Sequence, residues 1–212
     1  MLLLMNVWRK FASALLVLSL PFLFLCLSSQ SVVFASSVDD PKVVVQRAAV
    51  RLTSQLIKQK DDISKDDRIV AHLVENELMP IFDARLMSAL VLNKNWKLAS
   101  IDQQKEFTRL FSKILISTYS NAFSSYNGEE LVFKEPVYNK LKTKAIVRSE
   151  ILKEGGMPIL VDYRLRKKDA GWFVYDAVIE GVGLVNSYRR EMKDKVAEKG
   201  LSLMLQELAE KV

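Results

Sequence analysis

Phe107, Leu110, Phe111, Ile114, Leu115, Thr118, Tyr119, Ala122, Phe123 and Tyr126 recur at steps of three and four, the longest periodic run in the chain. A run of that spacing closes only as one helix with a continuous apolar stripe, and the rest of the fold must supply a surface to cover it. Ser100 and Gln103 form a capping-box pair at its start, and Asn127-Gly128 supplies the stop. At ~1.5 Å per residue, a helix from about Ile101 to Tyr126 is on the order of 40 Å long. It spans a domain.

The covering surface reads as antiparallel sheet. Residues 131–138 are a first strand, placed at an edge because Pro136 cannot donate to a ladder. Residues 143–153 and 158–167 are the next two, joined by the hairpin signal Glu154-Gly155-Gly156. In the third strand Ile159, Val161, Tyr163 and Leu165 alternate with Asp162, Arg164 and Arg166, which predicts one buried and one wet face. A fourth follows the turn Lys168–Gly171. Strict alternation puts Phe173, Tyr175, Ala177 and Ile179 on one face and Trp172, Val174 and Val178 on the other, with Asp176 and Glu180 as the polar exceptions. Apolar residues on both faces predict a strand inside the sheet. Gly181 and Gly183 then allow a sharp turn, and Leu184, Val185 and Tyr188 open a helical spacing before Arg189 and Arg190.

Ahead of the long helix, Asp39 or Asp40 caps a first helix with Pro41 in its first turn and Val45, Ala48, Ala49, Leu52 and Leu56 on one face. A second starts at Ser64 with Asp67 as a variant capping box, buries Ile69, Val70, Leu73 and Val74, and stops at Pro80. Asp83 caps a short third helix bearing Leu86, Met87, Leu90 and Val91, with Trp96 folded back onto it. The C-terminus returns to helix with Leu201, Met204, Leu205 and Leu208 as its stripe. The expected class is α+β, helices on a twisted antiparallel sheet of about four strands.

The first residues have the layout of a secretory signal peptide: basic Arg9 and Lys10, an apolar run from Phe11 to Leu27, and a small-residue boundary at Val33-Phe34-Ala35. Cleavage after Ala35 leaves residues 36–212 as a single domain. It also removes Cys26, the one cysteine, and lowers the net charge from +6 to +4, because Arg9 and Lys10 are the only charges lost. The remaining chain has no thiol nucleophile and no cysteine metal ligand.

Catalytic signals are sparse. The single histidine, His72, sits in a helix among Val70, Ala71, Leu73 and Val74. There is no Gly-rich phosphate loop, no nucleophile elbow, and no His and carboxylate spacing fit for a metal. Asp176, a carboxylate in an apolar strand, is either a buried base or a partner for a nearby Arg. Lys140, Lys142 and Lys144, and Arg164, Arg166, Lys167 and Lys168, resemble nucleic-acid footprints, but in an exported chain they read as solvated faces that can touch lipid head groups or a membrane partner. No nucleic-acid partner is expected.

Three blocks of the sequence resemble the MlaC family, also called toluene-tolerance proteins. Trp172 to Asp176, Ile179-Glu180-Gly181-Val182, Leu184-Val185 and Asn186 to Arg189 are similar to its W-x-V-x-D, I-E-G-V-S-L-V and N-Y-R signature. Phe82-Asp83, Met87, Leu90-Val91-Leu92, Trp96 and Ser100 to Gln103 form a second block, and Thr118 to Ala122 a third. Asn93 and Gly183 depart from the family's usual Gly and Ser. The resemblance implies a periplasmic phospholipid-binding carrier with an NTF2-like arrangement and a cavity between helices and sheet. It implies phospholipid as cargo in place of a cofactor, no enzymatic activity and no metal. Its implied partners are an inner-membrane ABC transporter with a lipid-binding ring subunit and an outer-membrane lipoprotein complex.

On this reading the cavity lining comes from Phe107, Phe111, Leu115, Tyr119 and Phe123 on the long helix, and Val147, Val161, Tyr163, Tyr175 and Ile179 on the sheet. Met87, Leu90 and Trp96 join from the short helix, and Val182, Val185 and Tyr188 from the last block, with Arg189 as a head-group contact through its guanidinium. Periodicity alone favours a closed core over a cavity. The alternatives are an NTF2-like enzyme with Asp176 as base, a hopanoid or isoprenoid carrier, and an adaptor with a packed interior.

Overall fold

Asp40 opens the first helix: its carboxylate accepts the Lys42 N–H at 2.8 Å, and Pro41 takes the first turn, where no N–H is needed. The computed structural model describes residues 40–212, so the expected leader at 1–35 lies outside the described residues. Helix α1 (Pro41–Lys58) buries Val45, Ala48, Leu52 and Leu56. Helices α2 (Lys60–Ile63) and α3 (Arg68–Leu73) follow. The expected capping box at Ser64 and Asp67 does not form. Ser64 still has helical φ and ψ as the end of α2, its hydroxyl donates back to the Asp61 carbonyl, and Asp66 accepts the Arg68 N–H instead. An N-cap needs an extended residue, which Ser64 is not.

The chain then widens into a π turn over Val74–Leu78 and tightens into a 3-10 turn over Met79–Ile81, around Pro80, whose missing N–H cannot extend the ladder. Helix α4 (Ala84–Leu92) is capped by Asp83, and Asn93 separates it from α5 (Lys94–Leu98). Asn93 has a φ of 52°, where a Cβ is crowded, so it stands in the role the family gives to glycine. The long helix is α6 (Ile101–Ser124), with both halves of the Ser100/Gln103 capping box in place at 3.2 and 3.0 Å.

Strands β1 (Glu130–Phe133), β2 (Val137–Tyr138), β3 (Lys144–Leu152), β4 (Ile159–Lys168), β5 (Gly171–Ile179) and β6 (Val182–Gly183) form one antiparallel sheet in the order β1-β3-β4-β5-β6, with β2 also pairing with β3. Six strands replace the expected four for two reasons. Pro136 splits the edge strand into β1 and β2. The turn Glu180-Gly181, with φ values of 49° and 79°, makes a tight hairpin that adds β6.

The expected alternation along β5 is corrected by a bulge. Arg164 pairs with Asp176 but the next residue, Leu165, pairs with Val174, which leaves Tyr175 opposite nothing. The extra residue flips the pleat, so Trp172 and Val174 share a face with Ala177 and Ile179, while Asp176 goes to the opposite side beside Arg164. Helix α7 (Leu184–Glu210) starts directly after β6 and is interrupted at Gly200, whose φ of 80° is non-helical.

Because Asn93 occupies a strained backbone position on the surface, Asn93→Gly should leave stability unchanged or raise it, while Asn93→Val should cost about 1–2 kcal/mol. Urea unfolding of the two variants against the parent measures both.

Candidate functional site

The interior does not close as a single cluster. A first group joins α4, α6, α7 and β5 through Met87, Val91, Phe107, Phe111, Leu115, Ala177, Val185 and Met204 among others. A second joins α1 to the sheet through Val45, Ala145, Val147, Leu165, Trp172 and Val174, and a third joins α1, the 70–74 segment and α6 through Leu52, Leu56, Val70, Val74 and Ile116. A domain usually has one contiguous core with smaller satellites, and here the buried side chains fall into three groups. Phe82 touches both the first and the second group. Val161 is buried and yet belongs to none of the three.

Residues at the borders of these groups are only half buried. The α6 stripe is sealed at its start, where Phe107, Leu110 and Phe111 are at most 1 % exposed, but Tyr119, Phe123 and Tyr126 keep accessible surface and Ala122 is exposed. Tyr163 also keeps surface, although protein surrounds it closely enough that burial pushes its phenol up, against a hydrogen bond with Ser149. Tyr119 is pushed up as well, by burial first and then by Tyr188. The borders of the three groups are apolar side chains with the phenols of Tyr119 and Tyr163 among them, and Ser149 is buried on β3.

Ten of the predicted lining residues belong to the first group or lie against it: Met87, Leu90, Trp96, Phe107, Phe111, Leu115, Tyr119, Ile179, Val185 and Tyr188. Val147 and Tyr163 belong with the second and Phe123 with the third. Tyr175 is the half-buried bulge residue. Val182 is 57 % exposed at the β5–β6 hairpin and lines nothing internal. The Arg189 guanidinium is engaged with backbone, its Nε donating to the Leu90 carbonyl at 2.7 Å, so it ties α7 to the end of α4. Phe82, Phe133 and Ile116 also belong to these groups or lie against them, and Ser149 is buried on β3; none of the four is in the predicted set. Ser149 was legible, since it continues the alternation Ala145, Val147.

Two open hollows lie elsewhere. One of about 190 Å³ sits between α6 and α7, lined by Ile114, Thr118, Tyr188, Met192, Lys195 and Leu208 among others. The other, about 170 Å³, is lined by Asp83, Arg85, Leu86, Ala89, Trp96, Arg166 and Lys168. Each is smaller than the ~300–1,000 Å³ of ordinary ligand pockets.

Among the described residues two carboxylates are buried, and each is held by a helix-end N–H and by at least one cation. Asp176 accepts the Val185 N–H at 3.0 Å and faces Arg164 at 3.1 Å, which caps α7 from the neighbouring strand, because Gly183 at the N-cap has no side chain. Asp83 caps α4 and holds Lys168 at 2.7 Å and Arg166 at 2.9 Å. Burial disfavours its charge, but the Lys168 and Leu86 hydrogen bonds and the two cations outweigh that and keep its carboxyl below the usual range. His72 is exposed, and among the described residues no cluster of His, Cys, Asp or Glu is arranged to hold a metal.

Residues 46–210 match the family model described as MlaC protein. The chain is 24% identical over 168 residues, 78% of each chain, to the intermembrane phospholipid transport system binding protein MlaC of Haemophilus influenzae. It is 23% identical over 164 residues, 77% of this chain and 76% of the relative, to the toluene tolerance protein ttg2D of Pseudomonas putida. Among solved structures, a phospholipid-binding protein from Ralstonia solanacearum in complex with a phospholipid superposes with a TM-score of 0.74 and 26% identity, covering 81% of this chain and 96% of that one.

Asp176→Ala should cost about 2 kcal/mol or more, by uncapping α7 and leaving Arg164 without its partner. A Cβ on Gly183 would meet Asp176 Oδ2 at 3.6 Å, ordinary contact, so Gly183→Ser should add a second cap and stabilise by a few tenths to about 1 kcal/mol. Denaturant titration reads both. The lowered Asp83 carboxyl contributes stability above the ordinary aspartate range that is lost as pH falls through its folded pKa. Asp83→Asn should therefore flatten the acid limb of the stability profile.

Proposed function

The chain belongs to the MlaC family, and on that premise we propose that it is a phospholipid carrier whose seam between α6 and the sheet takes the acyl chains. The observation that carries this reading is the divided interior, with half-buried Tyr119, Phe123, Tyr163 and Ile179 at the borders of the groups. The relative of similar fold, solved with a phospholipid, supports the cargo class. Two acyl chains need a space at the upper end of ordinary ligand pockets, several times either open hollow. Loading then widens the seam. The contacts allow that motion, since α6 packs along α3, α4 and α7, while α1, α4 and α7 lie against β3 and β5.

On this proposal the chain is exported by its leader to the periplasm. It passes phospholipid between the outer and inner membranes as the soluble part of a lipid-asymmetry system, and its partners are an outer-membrane lipoprotein complex and an inner-membrane ABC transporter with a lipid-binding ring subunit. The carrier itself performs no chemistry. Asp176, the one residue suited to act as base in an NTF2-like enzyme, has its carboxylate occupied by Val185 N–H and Arg164, which favours the carrier.

Native mass spectrometry of the purified protein should find co-purifying phospholipid, and delipidated protein should take it up from liposomes. No lipid in either experiment would overturn the proposal. Val161→Trp and Leu115→Trp should fill the seam and reduce bound lipid about tenfold or more while the circular dichroism spectrum is unchanged. Unaltered lipid content in both variants would move the site elsewhere.

A further inference from the structure

The β2–β3 hairpin presents an apolar residue that nothing in the fold covers. Leu141, at its tip, is 80 % exposed, and it is flanked in sequence by Lys140 and Lys142, with Lys144 at the start of β3. Among the described residues no carboxylate pairs with any of these three lysines. The acids nearest the base of the hairpin are already engaged: Asp40 caps α1, and Glu135 pairs with Lys42.

The tip is held rigidly. Asn139 Oδ1 accepts the N–H groups of Thr143 and Lys144, both at 2.8 Å, and its Nδ2 donates to Thr143 Oγ1 at 3.0 Å. The Asn139 N–H donates to the Lys144 carbonyl and its own carbonyl accepts from Lys142 N–H, each at 3.0 Å. Lys142 sits at a φ of 50°, a conformation this network sustains. Behind the tip, the Tyr138 ring lies 5.9 Å from that of Trp172 in the second hydrophobic group, and Tyr138 and Val137 remain 40 % and 52 % exposed. The exposed leucine is thus projected from the core on a braced arm.

We propose that this tip docks on an anionic lipid surface, with Leu141 inserted among the acyl chains and Lys140, Lys142 and Lys144 at the head groups. Three unpaired cations around one aliphatic side chain match the charge and depth of a lipid interface, with Tyr138 three residues behind at the level where aromatic rings settle. A narrow convex tip offers far less than the ~800 Å² per partner of a stable protein interface. This docking is separate from cargo binding in the seam, and the two fail independently.

The test is flotation of residues 36–212, the compact unit that holds all three hydrophobic groups, with vesicles of phosphatidylcholine alone and of phosphatidylcholine with about one-third phosphatidylglycerol. Binding is expected only to the anionic vesicles and should fall with added salt. Leu141→Ser should weaken it about tenfold, and Lys140→Ala and Lys142→Ala about fivefold each. Leu141→Trp should add a blue-shifted emission with anionic vesicles and none with neutral ones. Phospholipid co-purified with the tip variants should equal that of the parent. Equal affinity of parent and variants, or no binding of the parent to anionic vesicles, would overturn the proposal. So would salt-sensitive binding to polyglutamate without preference for anionic vesicles, which would assign the tip to an acidic protein.

Discussion

The helical layer is set on the sheet by one carboxylate. Asp176 reaches the open amide end of α7 and the Arg164 guanidinium at once, and it does so from the middle of β5. Its position follows from the bulge at Tyr175. Without the extra residue, the pleat would carry Asp176 to the same face as Trp172 and Val174, away from Arg164. The tight Glu180-Gly181 turn brings the chain back so that Gly183 and Val185 arrive beside Asp176. Bulge, turn and cap act as one device, and the start of α7 is fixed by it to the sheet.

A second anchor of the same kind stands farther along the same face of β4. Asp83 caps α4, its N–H donates to the Val174 carbonyl at 2.7 Å, and its carboxylate holds Lys168 and Arg166 on β4. Arg189 then ties α7 to the end of α4 through the Leu90 carbonyl. Helices α4 and α7 are thereby fixed by hydrogen bonds and ion pairs to β4 and β5, not by apolar contact alone. Polar attachments at the margins would let the apolar middle open to a cargo, since the layers do not depend on apolar contact alone to keep their places.

Much of this was legible in the sequence because it rests on local rules. The α6 stripe, the Ser100/Gln103 box, the Asp40 and Asp83 caps and the pairing of β3 with β4 each depend on residues within a few positions of one another. Three features were not legible. The bulge at Tyr175 depends on which residue faces Arg164, a long-range register that alternation cannot count. The Ser64 cap failed because α2 had not yet ended. The tie from Arg189 to the Leu90 carbonyl was the third, since a guanidinium suited to phosphate suits a helix carbonyl as well, and only the fold says what lies within reach. The candidate site was legible as a set of apolar positions but not as a seam. Periodicity reports that a side chain faces inward, and does not report whether anything meets it there.

That difference carries an energetic consequence for a lipid carrier. Two acyl chains of roughly 30 methylenes would cost on the order of 25 kcal/mol to expose to water, but a membrane hides them as completely as a protein does. The free energy of transfer is therefore a small difference between large quantities, and the state of the empty protein decides its sign. A cavity held fully open would leave its walls wet and bind lipid too tightly to release it. An interior closed to crystal density would have to break its own contacts before loading. On the carrier proposal, half-buried Tyr119, Phe123, Tyr163 and Ile179 lie between these limits. On that proposal each would gain apolar burial by loading, which would keep uptake and release near balance and leave the direction of transfer to be imposed from outside the chain.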